Sequence, residues 1–365
     1  EGAALAANAG SYNLDLPAGQ NGLDRSLFTG PQMNSLSASL RRPFGDRVEA
    51  FVDLGRMETR TISRSSTSVP NSVTNLPASA PNNPFEQNIR VRFPVPHFRP
   101  ELGRTTSQTL RATGGIIMRL PRNWMVGAEY GWGRSRLTFF GSSSYFYSDH
   151  TTALSSGLPT SSGRPTLNAL QEGNTFPLDL SPYILPPGSG RGRAYDTVLR
   201  NAALRFSGAI FELPAGAINL SGVLERRREE LLNNVAEGIN ATTGVPTFTF
   251  RPHQNQNADA YYVELRMPAI SAAQALPWVR ELELQASVRG EQYEAIGVYQ
   301  SGSYSIPSRD GPFPQDIHYG VNNTQSTSHT LGLRLVPIEA LALRASFSTG
   351  VHPPRSNLIV GDTLV

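Results

Sequence analysis

Apolar and polar residues alternate with a period of two over most of this chain, the pattern of a strand with one apolar and one polar face. Leu110, Ala112, Gly114, Ile116, Met118 and Leu120 share one face, and Arg111, Thr113, Gly115, Ile117 and Arg119 the other. After Pro121-Arg122-Asn123 the apolar face returns as Trp124, Val126, Ala128, Tyr130 and Trp132, so the two runs read as a hairpin. The unit recurs. Leu36, Ala38 and Leu40 turn at Phe44-Gly45-Asp46 into Val48, Ala50, Val52 and Leu54. Ala202, Leu204, Phe206, Gly208 and Ile210 turn at Leu213-Pro214-Ala215-Gly216 into Ile218, Leu220, Gly222 and Leu224. Tyr261, Val263, Leu265 and Met267 connect, over a longer link, to Leu282, Leu284, Ala286 and Val288. Leu331, Leu333 and Leu335 pass through Pro337 to Leu341, Leu343, Ala345 and Phe347. The pattern predicts hairpins near 35–56, 107–140, 196–228, 258–293 and 328–350, that is about ten antiparallel strands of roughly 8–12 residues.

Strand length and the placement of the connections narrow the class. Spanning a bilayer takes strands of about 9–11 residues, whereas strands of soluble sandwiches usually have about 5–6. Hairpin turns are short, but the links between hairpins (Ile62 to Thr106, Gly141 to Tyr195, Glu229 to Asp259, Gly297 to Ser328) are long and rich in Ser, Thr, Asn, Pro and Gly. Short turns on one side and long loops on the other are the layout of outer-membrane barrels. Glu129, Glu283 and Arg289 fall on the polar face, where a wet lumen spares a desolvation cost of about 2–4 kcal/mol for a basic residue at the bilayer midplane. Arg200 is a misfit to the parity, sharing a face with Ala202 and Leu204. Either it reaches headgroups at the outer rim or a β-bulge shifts the register.

Composition adds exclusions. The chain has 365 residues and no Cys, so disulfides, thiolate metal sites and a Cys nucleophile are absent. Every basic residue is Arg, and the formal charge of +3 does not argue for nucleic acid. No apolar run is long enough for a transmembrane helix. Glu1 to Gly10 lack the basic start and apolar core of a signal peptide, and no aromatic strand ends the chain at Val365. The expected organisation is a leading segment (1–34), a partial barrel (35–350) and the start of a next extracellular loop (351–365), as a piece of a longer protein.

Several short passages resemble the barrel domain of TonB-dependent outer-membrane receptors. Asn83-Pro84-Phe85 stands in the first long link, ahead of Ile89-Arg90-Val91-Arg92-Phe93-Pro94. Leu333-Arg334-Leu335-Val336-Pro337 precedes Arg344-Ala345-Ser346-Phe347-Ser348-Thr349-Gly350 and Val351-His352-Pro353-Pro354, similar to a late barrel strand of that family. The resemblance implies an all-β fold, an antiparallel meander forming part of a transmembrane β-barrel that has 22 strands in the family and is blocked by an N-terminal plug. It implies import of a scarce nutrient (an iron chelate, cobalamin or a saccharide) in the bacterial outer membrane, with energy from the TonB complex acting through the plug. Plug and TonB-contact segments are not recognisable here, nor are closing strands, so this stretch alone is not expected to transport. The implied partners are outer-membrane lipid and lipopolysaccharide, the TonB complex and a small-molecule or saccharide ligand. Two alternatives explain the hairpins without the motifs: a passive porin or β-rich adhesion protein, and a soluble β-sandwich binding module whose Leu282–Val288 face packs on a second sheet.

No enzyme, metal or cofactor motif stands out. His97, His150, His253, His318, His329 and His352 lack zinc-site spacing, and no nucleophile elbow, P-loop or H-E-x-x-H is present. Gly188-Ser189-Gly190-Arg191-Gly192-Arg193 opens a strand, leaving no helix N-terminus for a phosphate. In the second long link Tyr145, Phe146 and Tyr147 are candidates to stack on a sugar or aromatic chelate, with Arg191 and Arg193 as loop-end cations; packing within the loop or an aromatic girdle is the plainer alternative. Glu225-Arg226-Arg227-Arg228-Glu229-Glu230 reads as a solvated strand end or as a contact with anionic lipopolysaccharide. Trp124 and Trp132 suit the two girdles of a barrel.

Overall fold

A computed structural model describes residues 26, 28–65, 73–83, 85, 87–92, 101–142, 146–156, 158–168, 180–185, 191–274, 276–298 and 303–351. The fold is all-β: 70% strand against 5% helix. Ten strands form one antiparallel meander in sequence order. They are β1 (Gln32–Phe44), β2 (Val48–Ser65), β5 (Glu101–Leu120), β6 (Trp124–Ser142), β7 (Arg191–Leu213), β8 (Gly216–Leu231), β11 (Gln254–Ile270), β12 (Glu281–Val298), β14 (Tyr319–Ile338) and β15 (Leu341–Ser348). The five sequence-predicted hairpins are all present, but their strands are longer than predicted. β5 has 20 residues, β7 has 23 and β14 starts at Tyr319, not near 328. The alternation ends where the apolar face ends. Backbone pairing continues beyond it through stretches polar on both faces, such as Asn322 to Ser328, because each strand still has a neighbour to satisfy its N–H and C=O groups.

The short turns follow from local chemistry. Gly45 supplies a φ of 66° between β1 and β2. Between β5 and β6 both Arg122 (φ 61°) and Asn123 (φ 58°) are left-handed, a conformation Asn tolerates and Arg does not favour. In a meander successive connections alternate between the two edges of the sheet, so all four long links leave the same edge. Among the described residues these links carry regular elements of their own. The first carries the hairpin β3 (Val73–Leu76) and β4 (Ile89–Arg92), the second the helix α1 (His150–Ser156), the third β9 (Asn234–Ile239) and β10 (Pro246–Arg251), and the fourth β13 (Tyr304–Ile306).

The register places the apolar residues in continuous cross-strand rows. One row runs Ala50–Ile116–Ala128–Leu204–Leu224–Tyr261. Another runs Leu220–Leu265–Ala286–Leu331–Phe347. Apart from Arg42 beside the first short turn, these two rows carry no charge; Arg56 and Arg134 stand at the upper limit of the belt, in the row of Leu36 and Leu110. The belt faces outward: Leu36, Leu40, Leu54, Ile116, Leu224, Leu331 and Phe347 are 46–72% exposed. Among the described residues no second sheet packs on it, the Leu282–Val288 face included.

The upper border of the belt runs obliquely across the strands. Traced from Leu54 on β2, the row passes Ala112 and reaches Trp132 on β6. Traced back from Phe347 on β15, it passes Leu331, Ala286, Leu265 and Leu220 to Gly208, on which Trp124 of β6 is packed. Trp132 and Trp124 are eight residues apart, about 27 Å along a strand at ~3.4 Å per residue. From β2 to β15 there are eight steps between neighbours, about 38 Å at ~4.8 Å each. The border therefore slopes at about 35° to the rows, which sets the strands about 35° off the normal to the belt.

Opposite the belt lies a polar face. There Glu129 meets Arg205 (2.5 Å), Glu283 meets Arg266 (3.3 Å), Glu281 meets Arg334 (3.0 Å) and Arg289 meets Glu291 (2.6 Å). Arg200 stays on the belt face. Pairing of β7 with β6 is unbroken from Met125–Ser207 to Gly141–Arg191, so the bulge alternative falls away. Its guanidinium lies above the belt and meets Glu230.

Candidate functional site

The four long links assemble into a cap over one end of the sheet. Its core is formed by Leu76 of the first link with Phe146, Ala153, Leu154, Leu167, Leu180 and Tyr183 of the second. Tyr183, Leu76, Leu154 and Leu180 are the largest fully buried side chains among the described residues, so the most deeply buried apolar side chains lie in these links and not on the sheet. The Tyr183 hydroxyl donates to the Pro165 carbonyl oxygen (2.5 Å), and burial raises its pKa. The third link docks on the second: the Ser148 N–H donates to the Ala241 carbonyl (2.9 Å), and Gly244, at a φ of 76°, lies under the Tyr147 ring where a Cβ would approach within 2.8 Å. The fourth joins the third through β13 on β10, with Phe250 and Phe313 ring centroids 4.8 Å apart. Gly192 at the start of β7 pairs with Glu237 of β9, tying the cap to the sheet.

Two electrostatic arrangements hold the second link. Arg164 donates to Asp149 (2.8 Å) and to the Pro182 carbonyl (3.2 Å) while its guanidinium stacks on the Tyr147 ring, 3.5 Å from the centroid. Burial acts to raise the Asp149 carboxyl, but hydrogen bonds from Ser162, Arg164 and Thr160 outweigh it and hold the pKa below its usual value. His150 Nδ1 lies 2.7 Å from the Tyr147 carbonyl and its ring packs against Phe146.

Beneath the cap the polar face carries a trough made of two adjoining grooves that share Glu129. The upper, of about 510 Å³, has Gly131 and Gly133 as its floor, Thr109, Arg111 and Asn201 along its sides, and Arg227 with Glu229 at its rim. The lower, of about 410 Å³, is bounded by Arg41, Phe51, Ile117, Arg205 and Tyr262. The floor is open because glycines of β6 alternate with residues directed to the belt face, a spacing visible in the sequence as Gly127-x-Glu129-x-Gly131-x-Gly133. The Oδ1 of Asn201 is buried and has no hydrogen-bond partner among the described residues. Mixed charge, amide groups and small residues suit a polar, neutral or zwitterionic solute. Among the described residues no His, Asp and Glu cluster has the geometry to hold a metal ion.

No protein family, curated protein or solved structure matches the chain. The geometry alone carries the reading.

The sequence-predicted site residues separate. Phe146 is buried in the cap core and Tyr147 is covered by Arg164, so both pack within the cap as described, the plainer of the two alternatives; Tyr145 lies outside the described residues. The backbone of Arg191 opens β7 opposite Gly141, and Arg193 follows opposite Phe139. Asn83 shapes the β3–β4 hairpin: its amide donates to the carbonyls of Leu76, Pro77 and Gln87 (3.3, 2.9 and 3.0 Å) and its Oδ1 accepts from the Phe85 N–H (3.0 Å). Pro84 and Pro354 lie outside the described residues. Arg344 faces Arg334 on the polar side, and a Cβ at Gly350 would meet none of the described residues within 4 Å. The trough was not foreseen. The period-two glycines of β6 were its signal, but only the register shows that Arg111, Asn201 and Arg227 converge on them.

Proposed function

We propose that the chain is an arc of a transmembrane β-barrel in a bacterial outer membrane, part of an active-transport receptor that takes up a scarce nutrient with TonB-derived energy. The observation that carries the membrane reading is the exposed apolar belt with its oblique border. A slope of about 35° falls in the ~35–45° tilt range of outer-membrane barrels, and the ten residue steps of β5 from Leu110 to Leu120 then give a belt about 28 Å high, close to the ~25 Å band of such proteins. Left in water, a continuous belt across ten strands exceeds by far the few hundred Å² of apolar patch that monomers expose. No helix among the described residues is long and apolar enough to cross a membrane; in this reading the paired strands, whose backbone groups are satisfied within the sheet, are the crossing elements.

The receptor reading rests on the cap. An open porin has no need of a packed roof over its polar face, whereas a receptor must select a solute before it enters. The trough favours a polar solute such as a saccharide over a purely aromatic chelate, since the candidate aromatic residues Phe146 and Tyr147 are occupied by packing. The test is refolding into phosphatidylcholine vesicles followed by binding of saccharides, cobalamin and iron chelates. Vesicle insertion with saturable binding, abolished by Asn201→Leu, is expected. A chain that stays soluble and monomeric without lipid or detergent overturns the membrane reading, and ion conductance without saturable binding overturns the receptor reading in favour of a porin.

A further inference from the structure

Directly above the belt, on the same face, β6, β7 and β8 carry Arg134, Arg136, Arg200, Arg226 and Arg228 against only two acidic residues of their own, Asp196 and Glu230. Asp259 of β11 adds a third. Arg200 stands directly opposite Arg228 across the β7–β8 pair, and Arg226 is one belt position below Arg228. Like charges facing each other across a strand pair are destabilising by themselves. Glu230 is the one carboxylate between them: it meets Arg200, and it takes Arg228 at 2.7 Å. Its side chain is only 17% exposed, whereas those of Arg200 and Arg228 are 43% and 50% exposed. The carboxylate is thus the more buried partner, and both arginine side chains stay accessible from outside. Arg226 holds Asp259 loosely at 3.6 Å, both well exposed.

Below these guanidiniums the sheet is hollowed by small residues. A shallow groove of about 760 Å³ runs over Ala128, Ala202 and Gly290 between Leu204, Leu224 and Tyr261, with Arg226 and Asp259 at its upper rim. Apolar groove and cationic rim therefore follow one another along the membrane normal in the order of a lipid's chains and headgroup.

We propose that Arg200, Arg226 and Arg228 form a site for a phosphomonoester-bearing lipid of the surrounding leaflet, its acyl chains lying on the Leu204–Leu224–Tyr261 groove. The inference rests on the membrane reading above and adds the chemistry of the lipid. A phosphomonoester carries about −1.5 to −2 charges and three acceptor oxygens, which suits three guanidiniums that share only two carboxylates, one of them held loosely. The planar guanidinium fork binds such a group through paired hydrogen bonds, which a phosphodiester with fewer free oxygens cannot equally satisfy.

The test uses the full chain folded into vesicles of phosphatidylcholine alone, of equal parts phosphatidylcholine and phosphatidic acid, and of equal parts phosphatidylcholine and phosphatidylglycerol. After gentle detergent extraction, retained lipid is counted by native mass spectrometry. Retention of phosphatidic acid over phosphatidylglycerol by about tenfold or more is expected, because only the phosphomonoester offers the greater charge and the extra free oxygen to the paired guanidinium donors. The R200Q/R226Q/R228Q variant should lose that preference, and R266Q, which removes an arginine from the opposite face, should keep it. Equal retention of the two anionic lipids, or a preference that survives the triple variant, overturns the site while insertion into phosphatidylcholine leaves the membrane reading intact. Failure to insert into any vesicle overturns both.

Discussion

Placing an arginine at Ile116 separates a lipid-facing belt from a water-facing one. Ile116 is 46% exposed, and its cross-strand neighbours Ala50 and Ala128 are too small to shield it. On β5 the belt runs from Leu110 to Leu120, so Ile116 stands one residue from its midpoint, about 3 Å from the central plane. An arginine there costs about 2–4 kcal/mol if the face meets hydrocarbon, close to the full midplane value since the side chain must climb roughly 10 Å to either interface. If the face meets water, the same substitution falls within about 0.5 kcal/mol, as for ordinary surface sites. The matched control is Thr113→Arg, on the same strand but on the polar face and opposite Asp53, where a cation finds a carboxylate. Urea titration of refolding into short-chain phosphatidylcholine vesicles reads both variants. Ile116→Arg should lower the folded-to-unfolded ratio by about thirtyfold or more, and Thr113→Arg by less than about fivefold. Equal effects of the two, or a neutral Ile116→Arg, would refute the assignment of the faces.

Other outcomes follow from single sites. Arg122 occupies a left-handed position, so Arg122→Gly should stabilise the chain by about 1 kcal/mol in the same titration. Tyr183→Phe leaves the Pro165 carbonyl oxygen without its donor inside the cap core, which should cost about 1–2 kcal/mol and speed proteolysis within 146–185 without altering strand content. The pKa of Asp149 is lowered on folding, so its contribution is present above the unfolded value of about 4 and is lost as pH falls through the lower folded value. Protection of the cap from an acid protease should decline below about pH 4, and Asp149→Asn should flatten that decline.

The hairpins, their order and the two faces were legible in the sequence, because alternation with a period of two is imposed by strand geometry and needs no knowledge of partners. Leu110 to Leu120 and Trp124 to Trp132 declare a face wherever they are placed. Strand ends were not legible. Beyond Leu110 or Leu331 neither face is apolar, and pairing persists only because a neighbouring strand is there. The links read as structureless because β3, β9, β10 and β13 are three to six residues long, too short to show a period, and are held by contacts between distant links.

Register is what only the tertiary structure decided. A sequence places Arg200 on the belt's face but not opposite Arg228, and it cannot align Leu54 with Trp132 or Phe347 with Trp124. The slope of the belt, the arginine cluster above it and the trough on Gly131 and Gly133 all depend on how far each strand slides past the next. Ladder hydrogen bonds repeat every two residues and so permit many such offsets; matching of apolar rows and the geometry of the turns select among them.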